Sequence, residues 1–260
     1  MKKILLLALP LMVMCFASCE KDKGNDGNSV QKLIKSFTYM VRPDYPLVTT
    51  FEYDENGRVI CAKGTEAGDT SRIADVTYEG NMIIETKGGD KQQVSSDNTI
   101  VSLVKEEYIH YLNDDGYIIK TEYKAYWSDE SYNNNAVIYE YENGKLVKIV
   151  GNSRGGSSLD YVFQWQNGDI TTVSNNNGIV KNISYSNTVD NFNVDVAACW
   201  TCGISCGIGS AAALKFKGTT SGHLPQMLDG KVYSYELDSD GYVTTIKIDG
   251  EPIYFIEYVE

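Results

Sequence analysis

The stretch Tyr139–Ile149, YEYENGKLVKI, decides the fold. Apolar and polar residues alternate on both sides of the central Asn143-Gly144 pair. Asn-Gly adopts the positive φ angles that a tight hairpin turn requires. Alternation with a period of two places one side of each strand on a core and the other side in water. The stretch therefore predicts a β-hairpin with one buried face.

The same unit recurs along the chain, with an alternating strand on each side of a short turn. Strands at Ile34–Tyr39 and Ile253–Tyr258 begin and end the series. About fourteen strands in a meander are too many for a flat open sheet, which would curl or close. The sequence therefore predicts one all-β domain over residues 33–260, an antiparallel up-and-down meander that is strongly curved or barrel-like. The further turns are Asp54–Gly57, Glu79–Asn81, Asn113–Gly116, Asn167–Gly168 and Asp238–Gly241.

Residues 1–18 have the features of an export signal. Lys2 and Lys3 form a basic start, an apolar run follows over Ile4–Met14, and small residues precede Cys19. The run is shorter than the roughly 20 residues that a bilayer core requires, so it is typical of a cleaved signal peptide. Small residues directly before a cysteine resemble the bacterial lipobox, in which the cysteine receives acyl chains. An ordinary secreted protein with an unmodified Cys19 is the alternative.

The lipobox predicts a protein anchored in a membrane through Cys19, because several acyl chains on one residue give stable anchoring. Residues 19–32 then form a flexible tether, since Glu20–Ser29 contains no apolar residue. The charged run Glu20–Asp22 resembles the signal that sends lipoproteins of Bacteroidota to the cell surface. We therefore expect an outer-membrane lipoprotein, with the cell surface favoured over the periplasmic face.

The composition is acidic, with 35 acidic and 23 basic residues and a formal charge of −12. Such a surface repels nucleic acid and anionic lipid, so neither is an expected partner beyond the lipid anchor itself. The 19 tyrosines, together with many Val, Ile and Thr residues, favour strands. We expect no cofactor.

The units YDENGR, YEYENGKLVKI and ELDSDGYVTTIKI resemble those of Bacteroides lipoproteins in DUF4595, a domain family of unknown function described as porin-like. The stretch Ser221–Pro225 and the Tyr-rich last strand also fit this family. The resemblance implies a curved, barrel-like antiparallel sheet in an exported protein, and it implies no activity and no catalytic residues. Because the strands carry charges on their polar face and the chain has a lipid anchor, we do not expect a membrane channel.

Residues 192–216 break the hairpin pattern because they are apolar and small without a period of two. They predict one short helical or loop insertion near 195–215. A disulfide suits an oxidising periplasm, and buried free thiols are the alternative because cysteine behaves as a small apolar residue. A zinc or iron–sulfur site would need all four thiols and is rare in exported chains, so we expect no metal. The candidate disulfide residues are Cys61, Cys199, Cys202 and Cys206.

Ser205 lies in Gly203–Gly207, which matches the G-x-S-x-G pattern of a nucleophile elbow. That motif requires a strand–turn–helix setting, and this chain has no alternating β/α pattern. A serine nucleophile would also need His223 to fold back over it, with Asp195 or Asp229 behind the imidazole. We therefore predict that this segment contains no catalytic residue.

Four tyrosines are candidate ligand-binding residues. The period of two places Tyr139 beside Tyr141 and Tyr233 beside Tyr235 on shared faces. Such rows can stack on sugar rings, or they can be cross-strand pairs that stabilise a sheet by about 0.2–1 kcal/mol each. The turn Asp238–Gly241 resembles the start of a calcium loop, but the later ligands are missing, so it is interpreted as a hairpin turn.

Two function classes stay open. The first is a non-catalytic binding or interaction module of the cell envelope, with a glycan or an envelope protein as partner. The second is an envelope hydrolase whose site is not readable from the sequence. Clustered acids and aromatic residues would favour the first class for sugars, and a nucleophile beside a histidine would favour the second.

The lipobox generates a direct test. We expect the Cys19→Ala variant to move from the detergent phase to the soluble fraction, because the variant cannot be acylated. Phase partitioning of wild type and variant from whole cells measures the difference. A variant that still partitions with the detergent would show that another feature anchors the protein.

Overall fold

The computed structural model describes residues 32–66, 69–89, 92–94, 100–152, 158–178, 180–189 and 221–259. These residues form strands and turns and contain no helix. In this part of the chain, accordingly, no helix is long and apolar enough to cross a membrane. The strands are β1 Ile34–Arg42, β2 Tyr45–Tyr53, β3 Val59–Glu66, β4 Asp69–Glu79, β5 Met82–Gly88, β6 Gln92–Val94, β7 Ile100–Leu112, β8 Ile118–Trp127, β9 Tyr132–Glu142, β10 Lys145–Asn152, β11 Ser158–Gln166, β12 Asp169–Asn175, β13 Val180–Val189, β14 His223–Leu228, β15 Lys231–Leu237, β16 Val243–Ile248 and β17 Glu251–Tyr258.

The strands form a closed antiparallel barrel. Strands that follow one another along the chain pair with each other, and β1 pairs with both β2 and β17. Both β5 and β6 lie along β7, one after the other, because Gly88 is opposite Lys105 and Gln92 is opposite Ser102. The 17 strands therefore occupy 16 positions around the barrel.

The predicted all-β, barrel-like meander is confirmed, and the closure by β1 and β17 decides between a barrel and a curved open sheet. The prediction of about fourteen strands left out β6, β13 and β14. The last two form no tight hairpin with each other, since residues 190–220 separate them, and β14 contains Pro225. The insertion predicted near 195–215 lies outside the described residues.

The tight turns have the geometry that their sequences require. Asn143 and Gly144 have φ angles of 52° and 76°, and the Asn167-Gly168 pair has angles of 52° and 91°. Only residues that tolerate positive φ fit such turns, so the turn residues fix the register of each hairpin.

One face of the wall packs into the barrel interior. In β16, Val243 and Ile246 are buried, and in β12 the same holds for Ile170 and Val173. These inward residues join a single apolar cluster with members from fifteen of the strands. Burial of this cluster supplies the main stabilisation of the barrel.

The opposite face of the wall carries ion pairs. Glu52 pairs with Lys63 across β2 and β3, and Lys247 Nζ lies 2.6 Å from Glu236 Oε1 across β15 and β16. Each such exposed pair contributes little stability, about 0–1 kcal/mol. Charged side chains are unfavourable on a lipid-facing wall, so we expect this face to contact water.

A second element of the fold links consecutive hairpins at the end of the barrel that holds the Asn143-Gly144 and Asn167-Gly168 turns. An aromatic residue lies in the second half of a strand that runs toward this end of the barrel. Its side chain donates a hydrogen bond to a backbone carbonyl near the start of the preceding strand. Seven side chains do so, over 2.6–3.0 Å, and we call them the aromatic girdle. Its donor–acceptor pairs are Tyr53–Ile34, Tyr78–Val59, Tyr141–Ile118, Trp165–Leu146, Tyr185–Ile170, Tyr235–Pro225 and Tyr258–Val243.

The residue that follows a tight turn covers the girdle residue of the next hairpin. The Arg58 guanidinium lies 4.4 Å from the centre of the Tyr78 ring, and the Lys145 ammonium lies 5.4 Å from the Trp165 ring. Cations over aromatic faces are attracted by the ring quadrupole. Each hairpin is thus tied to the next by a hydrogen bond and, in these cases, by a covering cation.

The girdle predicts the effect of removing one hydroxyl. Tyr53→Phe removes the donor to the Ile34 carbonyl, 2.6 Å away, and we expect a loss of about 1–2 kcal/mol of unfolding free energy. Tyr132, which is 66% exposed, provides the control, and Tyr132→Phe should change the stability by less than about 0.5 kcal/mol. Urea denaturation measures both. Equal stabilities of the two variants would contradict the structural role of the girdle.

The girdle also predicts a loss of stability at high pH. Burial raises the pKa of Tyr53 and of Tyr78 to about 12. In the unfolded chain tyrosine loses its proton near pH 10, so between pH 10 and 12 the folded state binds more protons than the unfolded state. The contribution is complete below pH 10 and is lost as the pH rises towards 12. A urea midpoint that stays constant from pH 9 to pH 12 would contradict this expectation.

Candidate functional site

The structure places the four candidate tyrosines in the barrel wall. Tyr139 and Tyr233 are each 6% exposed and belong to the apolar cluster. Tyr141 and Tyr235 belong to the girdle, where their hydroxyls donate to backbone carbonyls. All four residues therefore have structural contacts in the wall. Their ligand-binding role stays a prediction.

The cysteine and serine predictions fall mostly outside the described residues. Cys199, Cys202, Cys206 and Ser205 lie in the segment that the structure leaves undescribed. Cys61 is a buried free thiol in β3, between Glu52 and Asp75 of the neighbouring strands. Burial raises the pKa of this thiol, and the two carboxylates add to the effect, so Cys61 is a poor nucleophile.

The acidic turn at Asp238 is a hairpin turn. Asp238 Oδ1 accepts the backbone N–H groups of Asp240 and Tyr242, each over 2.9 Å. The Lys32 ammonium lies 2.7 Å from Asp238 Oδ2 and 2.6 Å from Asp240 Oδ2. A protein cation therefore binds between the two carboxylates. The described residues contain no group of three or more potential metal ligands.

His223 lies at the start of β14 and is held by Asp169. Asp169 Oδ1 accepts the backbone N–H groups of Gly222 and His223, and its Oδ2 lies 3.0 Å from His223 Nδ1. The sequence suggested Asp195 or Asp229 as the partner of this histidine. The observed partner is Asp169, which sequence spacing could not indicate because it lies on β12, more than 50 residues away.

The nearest hydroxyl along the chain is that of Ser221. Its side chain is buried, and its Oγ accepts the backbone N–H of Ile170 over 3.2 Å and lies 3.1 Å from the Tyr185 hydroxyl. Ser221 and Asp169 therefore fasten the beginning of β14 to β12 and β13. The role that these contacts support is structural.

A cluster of polar side chains faces the barrel interior on three neighbouring strands, and the sequence analysis did not identify it. On β7, Lys105 and Glu107 form an ion pair on the outer wall, and alternation turns Glu106 inward. We call the inward cluster the polar sector. It consists of Glu85 and Lys87 on β5, Glu106, Tyr108 and His110 on β7, and Thr121 and Tyr123 on β8.

Hydrogen bonds and ring contacts connect the polar sector. The Tyr123 hydroxyl donates to Glu106 Oε1 over 2.8 Å, and His110 Nδ1 lies 2.9 Å from Thr121 Oγ1. The Tyr108 and Tyr123 rings are 5.0 Å apart. Such a network fixes the side chains in one arrangement, as a binding site requires.

Glu85 is the most unusual member of the polar sector, because it is fully buried. The Lys87 ammonium lies 2.6 Å from its Oε1, while Oε2 has no hydrogen-bond partner in the described part of the chain. Burial raises the pKa of this carboxyl, and the nearby Lys87 opposes the rise. A buried carboxylate costs several kcal/mol, so its presence inside a barrel marks a candidate functional site.

The sequence contains a signal for this site. Ile83 is apolar and Glu85 and Lys87 follow it with a period of two, so the three residues share one face of β5, which is the face that the structure buries. Both faces of β5 carry a mixture of polar and apolar residues, because Ile84 and Thr86 occupy the other side. The period alone therefore did not identify which face is buried.

Proteins of known structure share this fold. The family model for DUF4595, a domain of unknown function with porin-like fold, matches residues 51–245. A porin-like protein from Bacteroides uniformis ATCC 8492 superposes with a TM-score of 0.59 at 15% identity, over 87% of this chain and 99% of that chain. One from Bacteroides vulgatus ATCC 8482 gives 0.51 at 16% identity, over 88% and 99%. No curated protein matches the chain.

The two structures support the fold alone, whereas the family model covers most of the chain, including the polar sector. The closed antiparallel barrel agrees with the porin-like fold that the family description gives. The chain belongs to the DUF4595 family.

Proposed function

We propose that the protein is a lipid-anchored envelope protein that acts as a non-catalytic binding module and takes a small polar ligand at the polar sector. The lipobox at Cys19 supports the anchor, and the outer-membrane surface is the proposed location. The observation that carries the binding role is Glu85, a buried carboxylate whose Oε2 has no partner among the described residues.

The number of strands supports an interior wide enough for such a ligand beside the wall. Barrels of about 16 strands are wide enough to leave an interior lumen. Lys87 faces inward, yet its side chain is 15% exposed, and Tyr108 is also only half-buried. Their exposure indicates that solvent reaches the interior at the level of the polar sector.

An envelope hydrolase is the alternative, and one contact favours it. Asp169 holds His223 through Nδ1, and the His223 side chain is 40% exposed, as a general base would require. The neighbouring Ser221 is engaged with the backbone of β12, so it is not positioned as a nucleophile. Labelling of a serine by a fluorophosphonate probe would support the hydrolase and contradict the binding module.

The binding role is tested by ligand retention. The detergent-purified full chain is incubated with a small-molecule extract of the growth medium and envelope, washed and denatured, and the released compounds are identified by mass spectrometry. We expect the wild type to retain a compound that Glu85→Gln loses, because the amide removes the acceptor charge.

Glu52→Gln is the matched control, since this residue lies on the outer wall and pairs with Lys63. It should retain the compound as the wild type does. If the wild type retains nothing, or if all three proteins retain the same compounds, the interior binding role is wrong.

A further inference from the structure

At the inner surface of the polar sector, a positive charge lies nearer to the barrel interior and a negative charge is buried behind it. The ammonium of Lys87 is partly exposed, and Glu85 is buried behind it at 2.6 Å. Glu106, the second inward carboxylate, is 4% exposed and binds the Tyr123 hydroxyl. A cationic ligand would meet the Lys87 ammonium first, and an anionic ligand would approach two buried carboxylates. The arrangement therefore favours a neutral ligand.

Aromatic side chains form the rest of this surface. Tyr108 and Tyr123 are in contact, and Trp127 packs beside them with Ala125. Aromatic rings bind flat apolar faces, such as the C–H faces of sugar rings. The ligand thus combines apolar faces with uncharged polar groups.

Among the buried polar atoms without a hydrogen-bond partner within the described ranges, Glu85 Oε2 and Trp127 Nε1 differ in kind. Glu85 Oε2 is an acceptor, and Trp127 Nε1 carries a donor. A hydroxyl group both donates and accepts, so a ligand with several hydroxyls satisfies both atoms. Leaving them unsatisfied costs about 1–3 kcal/mol for each group.

The separation of the two atoms indicates the length of the ligand. Glu85 is opposite Tyr108, and Trp127 is opposite Leu103, five positions away on β7 with one bulge between them. At about 3.4 Å per residue the two positions are about 14 Å apart along the strands. One sugar ring is too short to span this distance.

We propose that the polar sector binds a short neutral oligosaccharide between Glu85 and Trp127, with Lys87 as a further donor and the tyrosine rings beneath the sugars. This inference rests on the proposed binding function and specifies its ligand class. Hydroxyls of one sugar donate to Glu85 Oε2, and an oxygen of another accepts from Trp127 Nε1. No bond in the ligand is broken.

The test is titration calorimetry of the detergent-solubilised full chain with neutral di- to tetrasaccharides of glucose, galactose, mannose, xylose and N-acetylglucosamine. We expect at least one oligosaccharide to bind, and the corresponding monosaccharide to bind at least tenfold more weakly. Glu85→Gln and Trp127→Phe should each weaken the binding about tenfold to a hundredfold.

Two controls separate binding from stability. Glu52→Gln lies on the outer wall, and Trp165→Phe removes an indole whose Nε1 donates to the Leu146 carbonyl. Both should leave the saccharide affinity unchanged, and thermal unfolding shows which variants remain folded. Saccharide binding that neither Glu85→Gln nor Trp127→Phe weakens would overturn the proposed site.

The failure of the ligand class is distinct from the failure of the binding function. If no saccharide binds but the retention experiment yields another compound that Glu85→Gln loses, the oligosaccharide inference is wrong and the binding function stands. If no saccharide binds and nothing is retained, both are wrong.

Discussion

The hydrogen bond from a girdle side chain to the carbonyl of the preceding hairpin is the interaction on which the barrel depends. Ladder hydrogen bonds hold strands side by side, but they leave the curvature of a sheet undetermined. The bond from Tyr53 to Ile34, repeated at Trp165 and Tyr258, ties the end of one strand to the start of the neighbouring strand before it. A sheet that is drawn in at one end by the same contact in successive hairpins curves until its last strand meets its first.

The girdle explains why the chain keeps the same order of residues in the hairpins that begin with a girdle residue. An aromatic residue comes before the turn, a turn residue with positive φ follows, and an aliphatic residue begins the next strand, as in Tyr141, Gly144 and Leu146. The aliphatic side chain packs into the core, and a backbone carbonyl at or near the same residue accepts the hydrogen bond of a girdle side chain. Leu112 on β7 lacks the donor, and β7 is one of the three strands that carry the polar sector.

The hairpins were predictable because turn chemistry and a period of two are local properties of a sequence. Closure was not, since the pairing of Ile34 with Tyr258 joins the two ends of the domain and no local pattern encodes it. The same holds for the contact of Asp169 with His223. The charges of Glu85 and Lys87 were visible in the alternation, but in a strand with two mixed faces only the tertiary structure shows which face is inside.

The pairing of the first and last strands has a consequence for the connectivity of the chain. The backbone N–H of Val259 donates to the Leu33 carbonyl over 2.8 Å, so the two ends of the domain are adjacent. With the exception of β1 and β17, strands pair with others close in the chain. A circular permutant that joins these ends and opens the chain at another exposed turn would keep every strand pairing. The strand pairings of the barrel therefore impose no obligatory starting point on the chain.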